Sequence, residues 1–542
     1  MKKSLVFILI AVLLSVPSFY LMLRHGIFST QDFHYFRLIE FDKCIKVLQI
    51  PCRWAPDSGA GFGEPLFNFY AQFSYLIGEI FHLASLQKID SLKIVFILSL
   101  VLSGISMFLL SKKIWKNDLP ALVSSTLYIY APYRAVDVWV RGALPESFSF
   151  VLFPLIILEV ENYLEKNKNK DLLLFSLLFG LLIITHNLSL ILFSPFLAVW
   201  IIYKYLQIRK LKPFINLFLG AIFSLLLTAF YILPVIFESQ FININSTTVG
   251  YFDWRAHFVT IKQLFLSRFW GYGASTWGEE DGLSLSVGHV QWIIPLSISL
   301  FILIKRKFDK NAKDFIVLIS IGIFALFLTH NKSTPIWEFL SFMKYIQFPW
   351  RFLGIAVFAF SLATGFISKL FSKKVAFIQV LLITITIVLN FQFFKPDIWY
   401  KVSDTDLETG SKWKESTFAS INDYWPRYGN APSKTAWTES ADVKLISKNS
   451  SAQIFSVQSH GKEVEFPIAY FPGWKLSYNG KIYDVNYDSN GLITASLPKE
   501  GSDIVTLKFE NTPIRTLGNI VSLMSLGSWA LFFVKFRHDE DN

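Results

Sequence analysis

The chain has 542 residues, of which 53% are hydrophobic and only 17% are charged. Water-soluble proteins carry about a quarter charged residues, so this composition excludes a soluble multidomain enzyme and a disordered or fibrous chain. A formal net charge of +11 would suggest a nucleic-acid partner in a soluble protein, but in a membrane protein basic residues serve first as topology signals. The composition therefore predicts an integral membrane protein with no nucleic-acid partner.

Twelve apolar runs are long enough to cross about 30 Å of hydrocarbon. They lie near residues 4–23, 91–111, 118–133, 146–163, 171–186, 188–206, 214–237, 290–304, 315–330, 350–369, 375–392 and 516–535. Every second connection is short and basic, and lysine and arginine concentrate in cytoplasmic loops. The predicted fold class is therefore a polytopic α-helical plasma-membrane protein of about 12 transmembrane helices, with both termini cytoplasmic.

The connections on the other side are larger and face outward in this topology. They cover residues 24–90, 239–289 and 393–514. Residues 66–86 are apolar as well, but a span there would reverse the orientation of every basic loop downstream. We therefore predict an interfacial or re-entrant helix, with Glu79 and His82 on a polar side.

The third outer piece differs in composition from the rest of the chain. Short segments between residues 451 and 510 alternate polar and apolar residues, and turn signals at Asn479-Gly480, Asn490-Gly491 and Glu500-Gly501 separate them. Such a pattern is typical of antiparallel strands joined by hairpins. We predict a membrane domain over 1–392, an extracytoplasmic β-sandwich within 393–514, and a final span with a short cytoplasmic tail over 515–542.

Two cysteines, Cys44 and Cys52, lie in the first outer loop. So few cysteines exclude a disulfide scaffold and a cysteine-based zinc site. The two residues either bridge within a loop that faces an oxidising compartment or remain unrelated thiols. The sequence leaves both alternatives open.

Ionisable groups are absent from the centres of the predicted spans. Lys93, Glu159, Glu238 and Arg351 all lie near segment ends. Ion-coupled transporters and channels need such groups near the bilayer midplane. The polar residues concentrate instead at the outer helix ends, which indicates an enzyme or a binding protein that works at the outer interface.

Asp32 follows the outer end of the first predicted helix, and His34 comes two residues later. A carboxylate at this surface can accept a proton from an attacking hydroxyl, or it can help to hold a divalent metal. The alternative is an N-cap for the next helix, and both roles can coexist.

A second set of polar residues surrounds the short outer loop between the third and fourth predicted spans. It comprises Tyr133, Arg134, Asp137, Trp139, Arg141 and Glu146. Arginines beside aromatic rings can grip a phosphate and stack on a sugar. An interfacial belt of aromatic residues and arginine would account for Arg134, and it accounts less well for Asp137 and Glu146.

Two further positions lie at the same predicted depth. His186 ends the fifth run, and Trp350-Arg351 opens the tenth. Each places a phosphate donor beside aromatic residues, although a structural histidine and a membrane anchor are the alternatives. Trp54, Trp139 and Trp270 are the predicted aromatic platforms for sugar or lipid.

Several segments together resemble a known group of proteins. They are TQDFHYFR, PCRWAPDSGAGFGEPLFNFY, VRGALPE, THN, QFPWRF and AYFPGWKLSYNGK. The sequence resembles the YfhO-like membrane proteins and those labelled 6-pyruvoyl-tetrahydropterin-synthase-related. Both groups look like relatives of the GT-C glycosyltransferases, which transfer sugar from a polyprenyl-phosphate carrier on the outer face.

The resemblance to GT-C enzymes implies an essential acid in the first outer loop, and Asp32 is the matching position. Some of those enzymes have paired acids, whereas Phe33 follows Asp32 here, so a divalent-metal requirement stays open. The pterin-synthase label implies a zinc site of clustered histidines, which the nine histidines do not form in sequence.

These observations lead to a hypothesis and an alternative. The hypothesis is a glycosyltransferase with Asp32 as general base. Its predicted phosphate- and sugar-binding residues are His34, Arg134, Asp137, Arg141, Glu146, His186, Trp350 and Arg351. Its partners would be a lipid-linked sugar, membrane lipid, and an envelope glycan, lipid or protein acceptor. The alternative is a non-catalytic transporter of lipid-linked glycans or an envelope-polymer scaffold.

Overall fold

The computed structural model describes nine stretches of the chain. They are residues 2–31, 33–278, 281–306, 308–370, 375–419, 421–432, 443–458, 463–498 and 504–541. Asp32, the predicted base, and the predicted turn at Glu500-Gly501 lie outside the described residues.

Helices make up most of the described chain. The first eleven are α1 (Lys2–Phe19), α2 (His34–Lys46), α3 (Leu66–Phe69), α4 (Phe73–Leu83), α5 (Lys88–Trp115), α6 (Asp118–Ile129), α7 (Pro132–Ala135), α8 (Leu144–Lys166), α9 (Asn169–Thr185), α10 (Asn187–Ile208) and α11 (Leu211–Leu227). The others are α12 (Ala229–Glu238), α13 (Ile261–Phe265), α14 (His289–Lys305), α15 (Lys310–Thr329), α16 (Thr334–Phe339), α17 (Leu353–Thr364), α18 (Val375–Asn390), α19 (Asp404–Leu407), α20 (Gly410–Thr417), α21 (Ile421–Tyr424) and α22 (Pro513–Asp541).

Eight helices of the described chain are long and apolar enough to cross a membrane. They contain α1, α5, α8, α10, α15, α17, α18 and α22, and α11 with α12 makes a ninth candidate if the bent pair is one span. The other predicted runs are helical too, but α6, α9 and α14 have 12, 17 and 17 residues. The structure thus supports a helical membrane protein, whereas the predicted count of twelve spans is not confirmed.

The third predicted span, 118–133, is shorter as a helix because of a proline. Helix α6 ends at Ile129, and Ala131 has extended backbone (φ −63°, ψ 136°) before Pro132. Proline disfavours helical geometry in the residue that precedes it. Beyond the break, α7 and a π-helical turn over Val136–Val140 carry the polar residues of the outer loop.

The seventh predicted span, 214–237, is bent rather than straight. Helices α11 and α12 meet at 75°, and the hydroxyl of Thr228 at the break donates to the Ser224 carbonyl at 2.8 Å. Such bonds to the residue four positions earlier bend helices. The Ser522 hydroxyl of α22 accepts the backbone N–H of Phe230 at 2.8 Å. The last helix therefore supplies a hydrogen-bond acceptor for a backbone N–H in the first turn of α12.

Residues 66–86 form two helices with a break between them. The longer one, α4, has 11 residues, which at 1.5 Å per residue is far shorter than the hydrocarbon core. Helix α4 is therefore too short to span the membrane, and its interfacial position stays a prediction. Glu79 is buried against α2, where burial and then the charge of Asp42 raise its pKa to about 7. His82 lies with its Nε2 4.0 Å from Asp42.

The segment 24–90, which the sequence predicts as the first outer loop, is held together by a disulfide and by ion pairs. The Sγ atoms of Cys44 and Cys52 are joined in a disulfide, which decides between the two alternatives that the sequence left open. Lys43 pairs with Glu40 at 2.6 Å and also with Asp57. These contacts fasten α2 to the segment that follows the bridge.

The strands form one small pair and two larger sheets. Their bounds are β1 (Ile27–Phe28), β2 (Trp399–Tyr400), β3 (Val443–Lys448), β4 (Ala452–Val457), β5 (Glu463–Ala469), β6 (Trp474–Tyr478), β7 (Lys481–Tyr483), β8 (Asn486–Tyr487), β9 (Leu492–Ser496) and β10 (Ile504–Phe509). β1 pairs with β2, and the larger sheets have the antiparallel orders β3-β4-β10-β6-β7 and β5-β9-β8.

Alternating residues of both larger sheets face a common apolar core. Phe455 of β4 lies 5.5 Å from Phe466 of β5 between ring centroids, and Val505 and Leu507 of β10 are buried in the same cluster. Asn479 and Gly480 both have positive φ (49° and 69°) and join β6 to β7 as a hairpin of this kind requires. The β-sandwich predicted within 393–514 is therefore present, and its strands begin at residue 443.

The sandwich packs against the first outer loop through Trp54. The Trp54 side chain is 0% exposed, and its ring centroid lies 5.1 Å from those of both Trp474 and Phe509. Gly63 (φ +83°) packs so closely that an added Cβ would lie 2.6 Å from the Trp54 ring. Trp54 therefore offers no open face to a sugar in this conformation, because the sandwich covers it.

An ion pair and a buried acid also lie in this contact region. Lys448 of β3 pairs with Asp57 at 2.7 Å. The Ser58 hydroxyl donates to Glu64 at 2.6 Å, and Glu64 is fully buried. Burial raises the pKa of Glu64 to about 8.

We expect stability to fall as pH rises because of Glu64. The folded state holds the proton up to pH 8, whereas an unfolded glutamate loses it near 4.3. Across this window the folded state binds more protons, so the free energy of unfolding decreases with pH, by at most about 5 kcal/mol. Glu64→Gln, a mimic of the protonated acid, should flatten this dependence. Melting temperatures of both proteins in detergent from pH 5 to 8 test it, and parallel curves would contradict it.

Candidate functional site

The candidate site lies where the chain breaks between helices α6 and α8. α7 and the π-helical turn lead to Gly142, which has a positive φ of 64° and packs so closely on Thr30 that a Cβ would lie 2.4 Å away. Helix α8 then starts at Leu144 with Pro145 in its first turn, a position that proline favours. This path brings the four charged residues of the loop into one group.

These residues and Arg351 form an ion cluster. Its members are Arg134, Asp137, Arg141, Glu146 and Arg351. Asp137 lies 3.4 Å from Arg134 and 3.0 Å from Arg141. Glu146 lies 2.9 Å from Arg141 and 3.6 Å from Arg351. With both carboxylates ionised, three guanidiniums leave one net positive charge, so the ion cluster favours an anionic ligand.

The three arginines differ in their access to a ligand. Arg134 is fully buried, donates to the Ser147 and Ser99 carbonyls at 3.3 and 3.4 Å, and stacks on Phe150. Arg141 keeps 12% of its side chain exposed and lies 4.6 Å above the Trp350 ring. Arg134 therefore braces the loop, and Arg141 is the better placed of the two for a phosphate.

Arg351 and Trp350 lie on a 3₁₀ turn over Pro349–Phe352. Arg351 donates to the Ile346 carbonyl at 2.6 Å and to Gln347 Oε1 at 3.0 Å. The Trp350 Nε1–H donates to Ser275 at 3.0 Å. These bonds hold both side chains in a buried position beside Glu146.

Gln347 is a member of this site that sequence reasoning missed. Its backbone has a positive φ of 66°, and a tight turn there joins the Phe348 N–H to the Ile346 carbonyl at 2.7 Å. Residues with a side chain hold this conformation only where surrounding contacts impose it. Its amide donates to the Thr247 carbonyl at 2.8 Å. No sequence pattern marks this glutamine.

Two histidines lie beside the ion cluster. His34 Nε2 accepts the Leu144 backbone N–H at 3.1 Å, so the neutral ring carries its proton on Nδ1, which donates to Tyr75. His34 thus holds the start of α8 in place. His186 caps α10, because its Nδ1 accepts the Ser189 backbone N–H at 3.3 Å.

The other predicted aromatic platforms have different surroundings. Trp139 is fully buried, and its Nε1–H donates to the Ser18 carbonyl at 3.0 Å. Trp270 is partly exposed and stacks on Phe393 with ring centroids 4.6 Å apart. Of the platforms Trp54, Trp139 and Trp270, the last keeps a surface that a ligand can reach.

The neighbours of Asp32 lie close to the ion cluster. Phe33, not a polar residue, occupies the N-cap position of α2. Gln31 donates to the carbonyls of Tyr272 and Gly273 at 3.3 and 3.2 Å. The segment on each side of Asp32 is therefore held between the loop near Trp270 and the start of α8.

A metal centre has no support among the described residues. No three histidine, cysteine, aspartate or glutamate side chains of that part of the chain are grouped to hold an ion. These residues do not fit the zinc site that the pterin-synthase label implies.

Comparisons with known proteins place the chain in a family. Residues 67–395 match the family described as 6-pyruvoyl-tetrahydropterin synthase related domain; membrane protein. None of the curated proteins matches the sequence.

Solved structures give a more distant likeness. The chain is similar to the cryo-EM structure of arabinofuranosyltransferase AftD from Mycobacteria, with a TM-score of 0.43 and 10% identity over 74% of this chain and 27% of that chain. It is also similar to an arginine-to-serine mutant of that enzyme, with a TM-score of 0.48 and 11% identity over 74% and 29%. The chain spans less than a third of the length of those structures.

Proposed function

The chain belongs to the 6-pyruvoyl-tetrahydropterin synthase related family of membrane proteins, and we propose that it is a glycosyltransferase acting at the outer membrane face. It would move a sugar from a polyprenyl-phosphate carrier to an envelope glycan, lipid or protein. The observation that carries this proposal is the ion cluster. It has an excess positive charge, and one of its arginines, Arg141, is partly exposed. A phosphate leaving group needs such stabilisation as its charge develops.

The reaction would use few groups. Asp32 would accept the proton of the acceptor hydroxyl, whose oxygen forms a bond to the anomeric carbon of the sugar. The bond from that carbon to the phosphate oxygen breaks, and the phosphate leaves with the electron pair. Arg141 and Arg351 would stabilise the resulting charge, while Asp137 orients Arg141 through the 3.0 Å contact. Trp270 is the proposed platform for sugar or lipid.

We place residues 24–90, 239–289 and the sandwich outside the cell and both termini in the cytoplasm. The positive-inside rule carries this orientation. The Cys44–Cys52 disulfide supports it, since such bridges persist in oxidising compartments.

Purified protein in detergent tests the function. We expect transfer from at least one member of a panel of polyprenyl-phosphate sugars, and a loss of about 100-fold or more in Asp32→Asn. The same transfer assay is run in parallel with added divalent metal and with a chelator. Asp309→Asn is the matched control, because Asp309 caps α15 by accepting the Ala312 N–H at 2.9 Å and lies on a predicted cytoplasmic loop.

Two results would contradict parts of this proposal. Full transfer by Asp32→Asn would exclude Asp32 as the general base. A folded wild type that binds the lipid-linked sugar without transferring it would favour the non-catalytic alternative, and flipping assays in liposomes would then separate a transporter from a scaffold.

A further inference from the structure

A second group of polar and aromatic side chains lies between the membrane helices and the sandwich. We call Arg37, Tyr70, Asp423 and Tyr424 the outer cradle. They come from α2, from the break between α3 and α4, and from α21. None of them belongs to the ion cluster.

Aromatic rings form the walls of the outer cradle. The Arg37 guanidinium lies 4.3 Å above the Tyr70 ring and donates to its hydroxyl at 3.0 Å. Tyr424 is stacked with Phe69 at 6.1 Å, with only 7° between the ring planes. Tyr70 and Tyr424 are both half-buried, so part of each side chain is accessible from outside.

Opposite charges complete the outer cradle. Asp423 is half-buried and accepts the Ser246 hydroxyl at 3.0 Å. Burial raises its pKa, while the Ser246 bond and the charge of Arg37 act in the opposite direction. A guanidinium over the Tyr70 ring and a carboxylate next to Tyr424 in the chain match the needs of a saccharide, which presents hydroxyl pairs at its edges and C–H groups on its faces.

A chain of hydrogen bonds joins the outer cradle to the ion cluster. Arg351 donates to Gln347, and Gln347 donates to the Thr247 carbonyl at 2.8 Å. The adjacent Ser246 donates to Asp423. The outer cradle and the ion cluster are therefore linked through these hydrogen bonds and the Ser246–Thr247 peptide.

Further hydrogen bonds hold the segment that carries Tyr70. The Tyr231 hydroxyl donates to the Phe69 carbonyl at 2.6 Å and to Asn187 Oδ1 at 2.7 Å. Asn187 follows His186, which caps α10.

We propose that the outer cradle is a saccharide-binding subsite that holds a glycan acceptor beside the ion cluster. The inference rests on the proposed function, because it assigns the acceptor's place and its chemical class. Among the glycan, lipid and protein acceptors that the function leaves open, it selects a glycan. Asp423 would accept hydroxyl hydrogen bonds, Arg37 would donate them, and Tyr424 would contact a sugar face.

Binding of oligosaccharides without a donor tests the subsite. The probes are hexasaccharides of glucose, mannose, galactose and arabinose, and binding to the full-length protein is measured by saturation-transfer NMR. We expect at least one to bind and its Kd to rise tenfold or more in Asp423→Asn and in Tyr424→Ala. Asp423→Asn retains the Ser246 contact, so it tests the subsite even if Tyr424→Ala fails to fold.

Tyr428→Ala is the matched control, because Tyr428 lies four residues further along and is 71% exposed. Its Kd should equal that of the wild type. Binding by none of the probes, or equal affinity in Asp423→Asn, would overturn the subsite. If Asp423-dependent binding occurs without any transfer, only the proposed function fails. If transfer occurs while Asp423→Asn binds the oligosaccharide with the same Kd as the wild type, only the subsite fails.

Discussion

Arg141→Lys is expected to lower sugar transfer by roughly 100- to 1,000-fold, a loss typical for removal of one group that stabilises developing negative charge. Arg141 bridges Asp137 and Glu146 at 3.0 and 2.9 Å and stacks on Trp350. A lysine keeps the charge, but its ammonium cannot reproduce the planar fork or the stack. Arg134 and Arg351 still pair with the two carboxylates, so the fold should persist.

Transfer rate and melting temperature in detergent are the two measurements. Arg255→Lys is the matched control, because Arg255 also pairs with an aspartate, Asp253 at 3.4 Å, and stacks on a tryptophan, but is exposed. It should retain wild-type transfer. If Arg141→Lys transfers as well as Arg255→Lys, the phosphate role of Arg141 is excluded.

Glu238→Gln is expected to destabilise the protein by about 3 to 5 kcal/mol, since a buried ion of the opposite sign loses its partner. Arg515 is fully buried and donates to Glu238 at 2.9 Å. Glu238 also accepts from Asn68 at 2.7 Å and from Thr512 at 2.6 Å. This one carboxylate therefore joins α12, the first outer loop and the start of α22.

Thermal unfolding in detergent measures this effect. Glu510→Gln is the matched control, because Glu510 pairs with Lys475 at 2.9 Å while both side chains are about half exposed. Exposed pairs contribute little, so this variant should change the free energy of unfolding by less than about 1 kcal/mol. Equal melting temperatures for the two variants would show that the Glu238–Arg515 pair does not stabilise the fold.

Part of the candidate site was predictable from local spacing. Arg134, Asp137 and Arg141 are three and four residues apart, and one helical face brings such residues together. Their common depth with Arg351 pointed to one site, and Arg351 lies 3.6 Å from Glu146 in the structure. The helix break before Pro132, which orients the loop, was not predicted from the sequence.

Other features depended on contacts between distant segments. Trp54 resembled an interfacial platform because nothing local shows that Trp474 and Phe509 cover it. Arg37 and Asp423 carry no motif, and only the fold places them in one outer cradle.

The sequence by itself determined the membrane class, the positions of the apolar helices, the alternating strands of the sandwich and the local charged loop. Each of these follows from a short-range period, 3.6 residues for helices and two for strands, or from the bulk cost of apolar surface in water. The tertiary structure alone decided the disulfide, the bend at Thr228, the burial of Trp54 and the Glu238–Arg515 pair across 277 residues. Such features depend on which surfaces meet when the whole chain packs, and no local period encodes that choice.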